Sequence, residues 1–266
     1  MDSTSTGTKT QKTRKVVNCA RYSGGQWQSH SGVLPTEIKL CIFINEEPCV
    51  DIMCTPKKLD CLVIGFLRGE GFIEKIDDIE SMRFHLGESV ADVRLSKPRA
   101  ERAMRRIKTS GLGGGPSFES GADLTALSSS WSVTPAQVAY AVSLLTEGNG
   151  GKRPGMHVSA VTDGKKLVAR SEDIGRHNTI DRIRGELMLA GKPTKDLMLS
   201  TTGRISSEML LKAANMEMPI VVSLNSVTSH AVKFANELGV TVVGHAREEE
   251  FMVYSHPERI AGCPNI

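Results

Sequence analysis

Three polar strings carry the residues best suited to chemistry, and each sits where a strand is expected to give way to a helix. The first is DIGRHNTID, Asp173–Asp181, in which Gly175 allows a tight turn. Arg176 is an always-charged donor, His177 can donate or accept, and Asn178 brings an amide to a helix start. The second is STTGRISSEML, Ser200–Leu210, which sets Arg204, Ser206, Ser207 and Glu208 after a Thr/Gly turn. The third is SLNSVTSHAV, Ser223–Val232, with Asn225, Ser226, Thr228 and Ser229 before a helix. A helix N-terminus holds unsatisfied N–H groups that attract anions, so each string is either a capped helix start or part of an anion site. Thiols are the other candidates: Cys19, Cys41, Cys49, Cys54, Cys61 and Cys263. Cys54 precedes Thr55-Pro56, which has the form of an N-cap and first helical residue. A thiolate there is either lowered in pKa by the helix or simply buried.

Spacing and composition exclude several classes. No two cysteines are separated by only two residues, which removes zinc ribbons, iron–sulfur ladders and thioredoxin-type redox pairs. His85, His157, His230, His245 and His256 are scattered, without H-x-x-x-H or H-E-x-x-H, so no metal site is indicated; His30 receives no assignment. There is no G-x-x-x-x-G-K-[ST] loop. With 33 Lys+Arg against 30 Asp+Glu, the net charge of +3 is too even for a general nucleic-acid binder. No stretch approaches the roughly 18–20 apolar residues of a membrane span. The chain therefore reads as cytoplasmic, with reduced thiols, no membrane partner and no nucleic-acid partner.

The elements that must position these residues fall into two halves of different grammar. Residues 1–20 read as a disordered tail. Residues 21–109 read as a small α/β domain, with strands at Glu37–Asn45 and Cys49–Met53. Leu59, Leu62, Val63, Phe66 and Leu67 then recur at helical spacing up to Gly69 and Gly71. From Lys97 to Lys108 six basic residues face one acidic residue, Glu101: a solvated helix face or a positive field for an anion. Residues 110–121, SGLGGGPSFESG, form a glycine-rich loop, which serves as a linker or lets a ligand approach the backbone. In residues 122–266, Thr134-Pro135 opens a helix through Thr146, stopped by Gly148–Gly151 and Pro154. Strands at Val158–Thr162, Leu167–Arg170, Leu197–Ser200, Ile220–Ser223 and Val240–Val243 follow, with helices near Ser206–Met216 and Ser229–Leu238. That alternation is the signature of a sheet covered by helices.

Taken together, the strings resemble the formate dehydrogenase accessory protein family, the FdhD-type sulfur carriers. The resemblance is carried by PCVDIMCTPKKLDCLVIGFLRGEGFI, EDIGRHNTIDRIRG, STTGRISSEMLLKAANMEMPIVVSLNSVTSH and the closing VYSHPERI, in that order. It implies a small N-terminal α/β domain followed by a cytidine-deaminase-like three-layer α/β/α sandwich. It also implies a role: sulfur is accepted from a cysteine desulfurase as a persulfide and passed to the molybdenum bis(molybdopterin guanine dinucleotide) cofactor. That cofactor, a transient cargo, is then inserted into the formate dehydrogenase catalytic subunit. The guanine nucleotide would meet His245, Ala246, Arg247, Glu248, Glu249 and Glu250, with Arg176, His177, Asn178 and Arg204 as further binding residues. Carboxylates repel phosphate, so contacts in that turn would come from backbone N–H groups and Arg247. The resemblance leaves a homodimer open.

One departure from the family pattern matters. The family places C-G-x-C-G after a basic helix and a Thr-Ser pair, with the first cysteine carrying the persulfide. Here RRIKTS is followed by GLGGG, and Leu112 and Gly115 stand at the two cysteine positions. Sulfur relay needs a thiolate, and neither residue supplies one. Three readings follow. One is a cofactor-binding sulfur carrier or accessory factor whose sulfurtransferase chemistry is lost or moved to another thiol such as Cys54. A second is a non-catalytic docking module for a dehydrogenase subunit. The third is a deaminase-like hydrolase, which needs [HC]-x-E and P-C-x-x-C; neither string exists, and Pro264 follows Cys263.

Overall fold

The computed structural model describes residues 13–85, 87, 89–96, 125–147 and 155–265. The basic run 97–108, the glycine-rich loop with Leu112 and Gly115, and the helix stop at 148–154 lie outside these residues. Strand β1 (Arg14–Ser23) pairs antiparallel with β2 (Gln26–Pro35). The turn between them is Gly24-Gly25, at φ 61° and 81°, as the type I′ turn of a two-residue hairpin requires. The strand thus begins inside the stretch read as tail, because the Gly-Gly turn gives residues 14–23 a partner.

Four further strands, β3 (Ile38–Ile44), β4 (Glu47–Cys54), β5 (Ile79–His85) and β6 (Val90–Leu95), form a sheet in the order β4-β3-β6-β5. Helix α1 (Leu59–Gly69) covers one face, where Leu62, Val63, Phe66 and Leu67 pack with Leu40, Ile42, Ala91 and Val93. The helix does not start at Thr55-Pro56. It starts at Leu59, after Lys58 in the left-handed region at φ 46°.

The remaining strands are β7 (His157–Thr162), β8 (Leu167–Asp173), β9 (Met198–Thr201), β10 (Ile220–Ser223), β11 (Thr241–Gly244) and β12 (Met252–Ser255). Their order is β12-β11-β10-β9-β7-β8, with β9, β10 and β11 parallel. Strand alternation divides the core into two layers. Met198, Ile220, Val222 and Val243 meet Val138, Ala141 and Val142 of α2 (Pro135–Thr146) on one face. On the other, Leu199, Val221 and Val242 meet α3 (Arg176–Leu189), α4 (Ser207–Ala214) and α5 (Ser229–Leu238) through Ile183, Leu187, Leu210 and Ala235. This is the expected α/β/α sandwich. Thr134 caps α2 as read: its hydroxyl accepts from the Gln137 N–H, and Gln137 Oε1 accepts from the Thr134 N–H at 2.8 Å.

The two sheets are joined by α1 against α3, and glycine permits the contact. A Cβ on Gly65 would fall on the backbone carbonyl of Asp181, and one on Gly185 on that of Cys61. Both obstacles are main chain inside packed helices and cannot rotate away. Gly65→Ala and Gly185→Ala are each expected to lower stability by at least about 2 kcal/mol, measured by urea unfolding.

Candidate functional site

Asp173, at the end of β8, organises the junction between the halves. It is fully buried, and its Oδ2 accepts from Arg182 Nη2 at 2.6 Å and from the Thr55 N–H at 3.0 Å. Its Oδ1 accepts from the Gly175 N–H and from Asn178 Nδ2, each at 2.8 Å. Arg182 returns to the N-terminal half by donating to Thr55 O at 3.2 Å, and Asn178 donates to Met53 O at 2.8 Å. Thr55 therefore serves as an anchor at this junction instead of a helix cap. Asn178 is spent on the same junction, so its amide is turned inward and not toward a ligand.

Arg176 follows at the start of α3 and lies against Gly203, where a Cβ would stand 2.9 Å from that of Arg176. Burial lowers the Arg176 pKa, and the positive charge of Arg204 lowers it further. The charge of Arg204 thus acts on Arg176 at one corner, and that of Glu208 opposes it. From here the loops line up along the C-terminal edge of the parallel strands. Ser223 Oγ donates to Gly203 O at 2.8 Å, and the Ile205 N–H donates to Ser226 O at 3.1 Å. The next turn joins through the His245 N–H to Asn225 O and the Ala246 N–H to Ser223 O, both 2.9 Å. The structure therefore brings Arg176, Arg204 and the 245–250 turn onto one edge, the crevice where open parallel sheets take ligands.

Within that turn His245 adopts φ 52° and is exposed, Ala246 is buried, and Glu248–Glu250 are exposed. The donors expected to meet phosphate are largely committed. Arg247 Nη1 donates to Leu224 O and Ala246 O, both at 2.7 Å, and the Arg247 N–H donates to Glu250 O at 2.6 Å. Arg247 thus braces the turn, while the three carboxylates face outward.

Beneath Arg176 lies a buried charged cluster in which His177 alone is among the site residues expected from the sequence. Lys212 Nζ donates to both Asp181 carboxylate oxygens at 2.6 Å, and Arg184 Nη2 donates to Lys212 O at 2.7 Å. His177 Nε2 stands 3.4 Å from Glu208 Oε2; burial, then the charges of Lys212 and Arg176, push its pKa down to about 3. The ring is held neutral and belongs to this interior. Burial pushes the Glu70 carboxyl up to about 7, partly opposed by Lys212, and its Oε1 has no hydrogen-bond partner among the described residues.

The thiols resolve in the opposite sense to a reactive Cys54. Cys54 ends β4 and is 0% exposed, and burial followed by the charge of Asp173 pushes its pKa up to about 12. The displaced helix start removes the dipole that would have lowered it. Burial likewise pushes Cys49 to about 12 and Cys61 to about 11. Among the described residues, no group of three or more His, Cys, Asp or Glu is placed to hold a metal ion, and no helix is long and apolar enough to cross a membrane.

Removing one member of the Asp173–Arg182 pair strands the other charge in the interior. Asp173→Ala is expected to cost about 3–5 kcal/mol by urea unfolding. A carboxyl whose folded pKa is raised contributes stability below its unfolded pKa that is lost as pH rises through the folded one. For Glu70 that window runs from about 4.5 to about 7. His177, held neutral, acts oppositely: its contribution is lost as pH falls from about 6.5 to about 3. The difference between the unaltered protein and Glu70→Gln isolates Glu70. The variant is expected to gain relative stability as pH rises through that window in urea titrations.

Residues 35–261 match the model of the FdhD/NarQ family. A Staphylococcus haemolyticus protein named sulfur carrier protein FdhD is 34% identical over 248 residues, covering 90% of this chain and 94% of that protein. A Staphylococcus aureus protein of the same name matches to the same extent. A crystal structure from Desulfotalea psychrophila, of a protein assigned as a formate dehydrogenase accessory protein, superposes with a TM-score of 0.78 at 24% identity. It covers 94% of this chain and 100% of that one, which establishes the shared fold. This chain belongs to the FdhD/NarQ family.

Proposed function

We propose that the chain is an accessory factor for formate dehydrogenase that binds the guanine nucleotide end of the molybdenum bis(molybdopterin guanine dinucleotide) cofactor and hands that cargo to the catalytic subunit. The observation that carries this reading is the shared corner of Arg176 and Arg204 beside the 245–250 turn on one strand edge. Two guanidiniums close enough for one charge to act on the other favour a polyanion such as a diphosphate. The outward carboxylates of Glu248–Glu250 fit the other half of the ligand. They repel phosphate, but guanine presents N1–H and N2–H2 as neighbouring donors, which a carboxylate accepts and adenine cannot offer. In this arrangement the arginines bind the diphosphate, Arg247 holds the turn in place, and the buried cluster under Arg176 keeps the corner rigid. The cargo supplies the molybdenum chemistry.

Sulfur relay through the glycine-rich loop is not part of this function. Leucine at 112 and glycine at 115 have no sulfur to carry, and Cys49, Cys54 and Cys61 are held protonated by burial. After incubation with a cysteine desulfurase and cysteine, persulfide mass spectrometry is expected to find no label on residues 110–116.

Calorimetry tests the binding claim. GDP is expected to bind at least about ten-fold more tightly than ADP, and Arg204→Ala to weaken both about ten-fold, the cost of losing one charge-assisted contact. No heat with millimolar GDP, or equal affinity for the two nucleotides, would overturn this reading and leave the docking module.

A further inference from the structure

At the end of the sheet away from the nucleotide edge, the closing turns of three helices border a cavity of about 240 Å³. Its charged lining is Arg68 of α1, Arg184 of α3, Lys192 and Lys195 after α3, and Glu217 after α4. The segments after α3 and α4 lead into the starts of β9 and β10, whereas the nucleotide edge lies where those strands end. Four cations therefore meet one carboxylate, and Arg68, Lys192, Lys195 and Glu217 form no ion pair among the described residues. Arg184 is 3% exposed; its Nη2 donates to Lys212 O, while Nε and Nη1 have no hydrogen-bond partner among the described residues. Buried donors are almost always paired, so a guanidinium with two idle nitrogens beside a cavity lacks an acceptor that the chain does not supply. Burial pushes its pKa down to about 10, with Asp181 opposing the shift and the charge of Arg68 adding to it. Cations often gather at helix C-termini to bond the last carbonyls. Here main-chain N–H groups do that: Phe66 O accepts from Glu70, Leu187 O from Lys192, and Ala214 O from Glu217. The cations lining the cavity are thus not needed as caps.

We infer that this cavity binds a small polyanion of the diphosphate class, at a site separate from the nucleotide edge. A concavity lined by one sign of charge focuses its field and concentrates the opposite charge. Guanidinium and ammonium groups both donate to phosphate oxygens, and a diphosphate carries enough charge and enough acceptors to engage several of them together. Size and lining narrow the choice. The cavity, at about 240 Å³, is smaller than the roughly 300–1,000 Å³ of sites for drug-sized ligands. No aromatic side chain lines it, so a base would find no ring to stack on. A diphosphate without a nucleoside suits both limits. Lys192 and Lys195 are exposed and guard the mouth, Arg68 is half-buried, and the buried Arg184 adds its field from beneath. Glu217, exposed at the same mouth, opposes the anion and sets a ceiling on its affinity. The inference does not depend on the nucleotide reading.

Calorimetry of the full chain with inorganic pyrophosphate tests it. The unaltered protein and Arg204→Ala, whose strand edge is disabled, are both expected to bind. Added to Arg204→Ala, Arg68→Ala or Lys195→Ala should weaken that binding about ten-fold, the cost of one charge-assisted contact. Glu217→Gln in the same background should strengthen it. Lys165→Ala removes an exposed cation outside the cavity and should leave it unchanged, which separates a site from the effect of net charge. Orthophosphate, which reaches fewer of the cations, should bind more weakly. Unchanged far-UV circular dichroism identifies a folded variant. No heat from Arg204→Ala with millimolar pyrophosphate, binding that survives Arg68→Ala and Lys195→Ala, or an equal loss in Lys165→Ala would overturn the inference.

Discussion

The arrangement of this protein depends on one contact, the backbone-on-backbone seating of α1 against α3. Gly65 and Gly185 leave no side chain between the helices, so each meets the main chain of the other. At the head of the seam, Asp173 takes Arg182, Thr55, Gly175 and Asn178 onto its two oxygens. Every one of these groups belongs to α3, to the turn before it, or to the segment that leaves the four-stranded sheet. An interior carboxylate is tolerable only when both oxygens are satisfied, and here they are. The result fixes the angle and depth at which α3 enters the sandwich.

That entry decides where Arg176 stands. It is the first residue of α3, directly after the turn that Asp173 closes, and it rests on Gly203 beside Arg204. The interior below holds charge of its own in Asp181–Lys212, Arg184, Glu70 and Glu208. Such a cluster restrains movement, because any shift would expose a buried charge to a worse environment. The strand-end loops are bound to one another by Ser223, Ser226 and Asn225. A ligand meeting this edge therefore encounters a largely preformed surface, which keeps the ordering cost of binding low.

The second half was legible because its signals are local. Thr134-Pro135 with Gln137 forms a complete capping box, and apolar strands of four residues alternate with helices ending at residues such as Gly239. The polar strings were legible as a group, since they all follow strands. What each residue does was less so. Thr55-Pro56 has the form of a helix start, but the backbone of Thr55 is claimed by residues more than a hundred positions away, which no local pattern reveals. Asn178 looks like a ligand group and is a tether. The buried charges of α3 did leave a trace: Asp181, Arg182 and Arg184 stand among Ile180, Ile183 and Leu187, so the helix has no clean polar side. Residues 14–20 read as tail because they continue a stretch without an apolar run; only the Gly24-Gly25 turn signals a ribbon.

The proposed guanine nucleotide lies along the ends of β9, β10 and β11. Hydrogen-exchange mass spectrometry of the full chain, with and without saturating GDP, tests it most directly. Exchange is expected to slow at residues 201–206, 223–228 and 244–250 together, and to remain unchanged in β3–β6. Protection confined to other parts of the chain, or protection of only one of these three loops, would contradict it.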